Sequence, residues 1–178
     1  LPWKTDCPAG AALKRLADGR VELVSKETEA TAFASVPMIR SGLYEIILQL
    51  EEPSPGTGIY LGDDRGQPLQ AVGFFRDGLT GLPVVRYDRL DSPMAATSIN
   101  PDTEPVPYIA RRPWLRLVPS CGSLKVWISG DGVHWGQAFS AEPMVGRWSH
   151  VGLYSRPGEQ ARNVRLRLLQ IRQLDAHT

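Results

Sequence analysis

From Tyr44 to Leu50 the chain alternates: Tyr44, Ile46, Leu48 and Leu50 are apolar, with Glu45 and Gln49 among the positions between them. Successive side chains on a strand point to opposite faces, so this spacing predicts a central strand over residues 42–50 with one face in a core. The period recurs along the chain. Runs at 13–17 and 21–24 flank Asp18-Gly19, a dipeptide suited to the positive φ angles of a tight turn, and predict an opening hairpin. Residues 30–36 alternate small and larger groups and stop at Pro37, which cannot donate to a ladder. Pro53, Pro55 and Gly56 then turn the chain into a strand at 58–62; Asp63, Asp64 and Gly66 turn it into 69–75, and Arg76, Asp77 and Gly78 into 83–88.

The pattern fails between residues 89 and 112, where Pro93, Pro101, Pro105 and Pro107 interrupt any ladder. Two readings of this excursion stand: a loop, centred on residues 94–108, that carries the domain's own specificity, or a proline-stiffened flap over a sheet edge. Regularity returns at 114–118, 124–129, 134–140, 148–155 and 164–174. In the last run Val164, Leu166 and Leu168 share a phase that Leu169 and Ile171 reverse, so a β-bulge is expected near Leu168-Leu169. Many short strands joined by turns predict an all-β, two-sheet antiparallel sandwich.

Composition narrows this reading. A chain of 178 residues, 42% hydrophobic, fits one domain over 1–178 with a full core, and 17 glycines with 15 prolines suit strands and tight turns better than helices. The formal charge of +1 leaves no global field to recruit nucleic acid or an anionic membrane, and neither is expected as a partner. The basic run Arg162, Arg165, Arg167 and Arg172 reads most simply as a solvated strand face. No apolar run approaches the roughly 18 residues of a membrane span. A sequence that begins at Leu1 suits a processed product or an excised domain and does not decide the compartment; an extracytoplasmic or secreted location is slightly favoured. Cys7 and Cys121 could bridge in such a compartment; two unpaired thiols are the plainer alternative.

The last third carries the most information. Trp114-Leu115-Arg116-Leu117 leads to a strand ending Ser129-x-Asp131-Gly132-x-x-Trp135, then to Val151-Gly152-Leu153-Tyr154 and a final strand at 164–171. Their order resembles the concanavalin A-like lectin/glucanase superfamily, in particular the jelly-roll domains appended to bacterial glycoside hydrolases. Residues 42–46, Gly-Leu-Tyr-Glu-Ile, and 58–61, Gly-Ile-Tyr-Leu, resemble earlier strands of that family. The resemblance implies a jelly roll and carbohydrate as the leading ligand class. Ser129-x-Asp131-Gly132-x-x-Trp135 also resembles the Asp-box turn of sialidase propellers, but it occurs once where blades would repeat it. Here Asp131 is expected to accept backbone N–H groups, Gly132 to take a positive φ and Trp135 to pack over the hairpin, a structural turn.

Catalytic glucanases of this fold carry Glu-x-Asp-x-x-Glu on one strand, setting two carboxyls about 5 Å apart for retaining hydrolysis. That pattern is absent from the sequence, and adjacent Glu51 and Glu52 would point to opposite faces. His134, His150 and His177 lack metal-ligand spacing, and Asp63, Asp64 and Asp88 lack the alternation of a calcium loop; no metal or cofactor is expected. Ser149 and His150, as strand neighbours, should face apart. Sugars stack on aromatic rings, which makes Trp127 the first candidate: it lies out of phase with Leu124, Val126 and Ile128. Tyr60, Phe74 and Tyr87, with Arg76 and Arg86 as polar partners, could lie beside it in a groove, or these aromatics form a second packed layer. The expectation is a noncatalytic binding or accessory module for an oligosaccharide, with a structural or protein-interaction domain of a larger polypeptide as alternative and a glycoside hydrolase third.

Overall fold

The structure, a computed structural model, describes residues 2–38, 44–63, 68–89, 106–107, 111–120, 123–143 and 148–174. Every regular element among them is a strand, and the strands form two antiparallel seven-stranded sheets. The first sheet runs β1 (Lys4–Asp6), β4 (Ala32–Pro37), β13 (His150–Ser155), β6 (Thr57–Gly62), β7 (Pro68–Arg76), β8 (Pro83–Arg89), β9 (Val106–Pro107). The second runs β12 (Gly136–Pro143), β11 (Ser123–Ser129), β10 (Trp114–Ser120), β5 (Tyr44–Glu51), β14 (Arg162–Gln173), β3 (Val21–Ser25), β2 (Ala11–Arg15). The all-β sandwich expected from alternation is the fold that forms. No helix of the described residues is long and apolar enough to cross a membrane.

The expected opening hairpin is β2–β3, with Gly19 at φ +83° and Asp18 Oδ1 accepting the Arg20 N–H at 3.2 Å. Two strands escaped the periodicity because they are too short to show one: β1, and β9, which lies inside the proline-rich excursion and pairs Val106 with Val85. The rest of the segment singled out for specificity, 94–105 and 108, lies outside the described residues. Strands β5 and β6, consecutive in sequence, belong to different sheets.

The core lies between the sheets. Ile46, Leu48 and Leu50 on β5, Leu115 and Leu117 on β10, and Leu124 and Val126 on β11 meet Ile59, Leu61, Val72, Phe74 and Leu153 of the first sheet. All are buried, and each such side chain contributes about 1.5–3 kcal/mol relative to exposure. A buried orphan polar group costs about 1–3 kcal/mol, and three hydrogen bonds at this depth show how it is avoided. Ser25 and Ser155 share a 2.8 Å hydrogen bond between the sheets. Trp148 Nε1 donates to Gln70 Oε1 at 3.1 Å, and Gln70 Nε2 donates to the Tyr87 hydroxyl. The bulge in β14 falls between Leu166, opposite Leu50, and Leu168, opposite Gln49. Arg167 is the extra residue, one position before the expected site; Leu168 turns outward, 38% exposed, and Leu169 and Ile171 pack on the core.

Candidate ligand-binding surface

The outward face of the first sheet is built from glycines and rings. One row across the strands reads Asp6, Phe33, Tyr154, Gly58, Gly73, Arg86; the next reads Lys4, Ser35, Gly152, Tyr60, Ala71, Asp88. The glycines are places where rings lie flat on the sheet. A Cβ on Gly58 would meet the Val72 carbonyl and come within 2.8 Å of Tyr154 Cε1, and one on Gly152 would come within 2.6 Å of Tyr60 Cε1. Phe33 and Tyr60 meet edge to face at 5.1 Å between centroids and 77° between planes. The layer is sealed enough that burial pushes the Tyr60 hydroxyl up to about 12, against the lowering effect of a hydrogen bond with Ser35. Beside it Phe75, half-buried, carries Arg86 4.0 Å from its ring centroid and Arg156 at 5.8 Å.

The outward face of the second sheet is an ion-pair lattice. Lys14, Glu22, Arg165 and Glu51 stand opposite one another across four strands, alternating in charge. Arg165 bonds Glu22 at 2.7 Å and Glu51 at 3.5 Å. The Glu45 carboxylate, 1% exposed, is held by Arg116 Nε at 2.5 Å and Arg172 Nε at 2.7 Å. Burial raises its pKa, and the bonds and charges of the two arginines outweigh that, leaving it below the ordinary glutamate value. Trp127 stands opposite Arg116 in the ladder, and that guanidinium lies 5.0 Å from its ring centroid.

The turn after β11 is held by a carboxylate. Asp131 Oδ1 accepts the N–H groups of Val133 and His134, each at 2.8 Å, and the Ser129 hydroxyl at 3.0 Å; Oδ2 lies 2.7 Å from His134 Nδ1. Ser129 Oγ in turn accepts the Gly132 N–H at 2.9 Å. The His134 ring bond and these N–H groups hold Asp131 well below the usual carboxylate range, and Asp131 raises His134. Gly132 has φ +78°, and the nearest ring to it is that of Trp114, 3.0 Å from the position of a Cβ, with Trp135 half-buried further on.

The candidate aromatics do not share one surface. Trp127 is half-buried on the second sheet; Tyr60, Phe74 and Tyr87 are buried on the first. Phe74 and Tyr87 face the core, with the Tyr87 hydroxyl taken by Gln70, and Tyr60 lies in the outward ring layer. Arg76 is exposed at the β7–β8 turn, where its Nη1 donates to the Gly81 carbonyl at 2.9 Å. Alternation gave each residue's phase but could not say which sheet it joined. Phe75 and Arg156 were missed: Phe75 is the apolar residue out of phase with Phe74, and Arg156 follows the end of β13. Ser149 and His150 also depart from the expectation, because Ser149 precedes the strand and its Oγ reaches His150 Nδ1 at 2.7 Å.

Acidic groups are ion-paired where they gather. A cleft of about 480 Å³ at one end of the sandwich is lined by Glu51, Glu52, Arg111, Arg112 and Gly130. In it Glu52 pairs with Arg111 at 2.8 Å and Glu51 with Arg112 at 3.3 Å. Among the described residues no group of three or more His, Cys, Asp or Glu side chains could hold a metal ion. Cys7 is a free thiol whose pKa burial pushes up, with the Asp6 charge adding to it; Cys121 lies outside the described residues.

No family model matches the chain, and no curated protein matches it. Among solved structures it is similar to a functionally unknown protein from Saccharomyces cerevisiae, 16% identical over 98% of this chain and 97% of that one, with TM-score 0.67. The exoplasmic/lumenal domain of VIP36 in its Ca2+/Man2-bound form is 14% identical over 99% and 83% of the two chains, with TM-score 0.68. The GH43 protein BlXynB (K247S mutant) from Bacillus licheniformis is 12% identical over 97% of this chain and 37% of its own, with TM-score 0.65. What the chain shares with all three is its fold, a concanavalin A-like jelly roll of two antiparallel sheets.

Proposed function

We propose that the domain is a noncatalytic carbohydrate-binding module whose ligand lies on the outward face of the first sheet. The observation that carries this reading is the Phe75 ring in contact with the guanidiniums of Arg86 and Arg156 beside the Tyr60–Tyr154 layer. A half-buried ring offers the C–H face of a sugar a stacking partner, and planar guanidiniums offer paired donors to its oxygens. Trp127 is less suited to this work, because the guanidinium beside its ring, Arg116, is already bonded to Glu45, whereas Arg156 beside Phe75 pairs with no described carboxylate. Two of the structural neighbours add support: the VIP36 domain was solved with Man2 and with Man3GlcNAc, and the BlXynB protein is a GH43 member. Glycoside hydrolysis needs a general acid of raised pKa, and Glu45 and Glu51 are both lowered by arginines. A glycan array followed by calorimetric titration tests the reading. A saturable response that falls at least about tenfold in Phe75→Ala, a loss of roughly 1.4 kcal/mol, is expected; silence across the array, or an undiminished response in the variant, overturns it.

A protein-interaction role is the second reading, favoured by the β7–β8 turn. Asp77 Oδ1 accepts the Leu79 N–H at 2.9 Å, Arg76 is bonded to Gly81, and Leu79 is held 98% exposed. If the array is silent, a binding partner lost on Leu79→Ser would establish it.

A further inference from the structure

Charge is divided unequally between the two outward faces. On the second sheet the guanidiniums of Arg116, Arg165 and Arg172 are all spent on glutamates. On the first, Arg156 makes a ring contact with Phe75 and no ion pair with any described carboxylate. Asp88 holds the next row's position on β8, two residues from Arg86 and on a different strand from the one Arg156 follows; Asp6 stands in the same row as Arg86 but at the other edge of the sheet, five strand spacings away, which is roughly 24 Å and beyond the Debye length of about 8 Å at physiological salt. Arg162 lies next to Arg156: its Nη1 donates to the Arg156 carbonyl at 2.5 Å and the Pro157 carbonyl at 3.1 Å, bonds to neutral acceptors that leave its charge uncancelled. Its ring of neighbours is glycine, Gly56 and Gly158, where a side chain would collide with the guanidinium. Partial burial lowers the pKa of Arg162, and the charge of Arg156 adds to it.

We propose that the saccharide read by this surface is acidic, a sugar carrying a carboxylate of the uronic type, and that Arg156 is the residue that reads the charge. The proposal rests on the carbohydrate reading and narrows it. Arg86 lies over Phe75 and has a further partner, so it fixes the ring, whereas Arg156 keeps its fork for the ligand. A guanidinium meets a carboxylate through two parallel N–H bonds, and such charge-assisted bonds are about twice as strong as those to a hydroxyl. The sugar ring then rests against the part of Phe75 that the arginines leave open.

The test compares oligogalacturonate with its methyl ester, which has the same sugar skeleton without the charge, by calorimetric titration at about 50 and about 500 mM NaCl, ionic strengths that screen surface charge differently. The expected result is that the acid binds at least about tenfold more tightly than the ester, that the preference shrinks at high salt, and that Arg156→Gln abolishes it. Equal affinity for acid and ester, or a preference that survives in Arg156→Gln, overturns the inference and leaves the carbohydrate reading in place, since sugar is still bound. Binding of neither form, with a silent array, removes both. The comparison of acid with ester in the unmutated domain decides the matter even if the variant does not fold.

Discussion

Glu45 is a carboxylate on the outward face of a central strand, and yet it is almost wholly buried under two arginines. Glu45→Gln keeps its shape and removes its charge. The variant loses two ionic hydrogen bonds, to Arg116 and Arg172, each worth about 1.5–3 kcal/mol when both partners are buried. Here the arginine side chains are 32% and 55% exposed and recover water when released, which places the net cost below the sum of the two bonds, at about 2–3 kcal/mol. For a domain of this size that is a fall of roughly 4–12 °C in Tm. The pH dependence has a definite sign. Because the folded-state pKa lies below the unfolded value of about 4.3, the stabilisation is complete above that value and is lost as pH falls through the folded one. Urea unfolding of both proteins from pH 7 to pH 3 should therefore show a gap that closes on acidification. A variant as stable as the parent at pH 7, or a gap that stays constant down to pH 3, would refute the account of the triad.

Gly58→Ala puts a methyl group against the Val72 carbonyl of the adjacent strand, which cannot move aside without breaking the ladder; a loss of about 1–3 kcal/mol in chemical denaturation is expected, and a change near zero would mean the strand has room. Trp148→Ala should cost about 3–5 kcal/mol as a fully buried ring, and Trp127→Ala about 1–2 kcal/mol, from a half-buried ring and one cation–π contact; equal losses in calorimetry would put Trp127 in the core. Trp127→Ala should also leave saccharide titrations unchanged, since the proposed ligand lies on the other sheet. By NMR His134 should titrate above the free-histidine value of about 6.5 and return to it in Asp131→Asn; the stabilisation this pair gives is present below the unfolded pKa and lost as pH rises through the folded one, and an unshifted His134 in the parent would contradict the contact.

Much of the fold could be read from phase alone. The alternation of Tyr44, Ile46, Leu48 and Leu50 gave β5, Asp18-Gly19 gave the first hairpin, and the phase reversal after Leu168 gave the bulge to within one residue. The surface was harder, for a physical reason. Period-two alternation states which residues share a face of one strand, and it is silent about which sheet that strand joins. Tyr60 and Trp127 look alike in the sequence, each an aromatic among apolar neighbours, yet they lie on opposite sides of the molecule. The first sheet is also apolar on both faces, so residues 32–36 and 57–62 are buried throughout and hide their inward phase. Gly58 and Gly152 were legible as strand residues, but nothing in their spacing showed that they are seats for the rings of Tyr154 and Tyr60.

The place of β13 and β14 bears on how the chain can be made. Each lies in the interior of its sheet: β13 joins β4 to β6, and β14 joins β5 to β3. While the nascent chain is shorter than this, four hydrophobic strands have an open edge that only residues 150–173 can close. At about 5–20 residues per second, the ribosome needs roughly 6–26 s to go from β5 to the end of β14. For that interval neither sheet can be completed, and the waiting edges are templates for another chain. The pace of translation, and whatever shields those edges meanwhile, therefore bears on the yield of native protein separately from the stability of the finished sandwich.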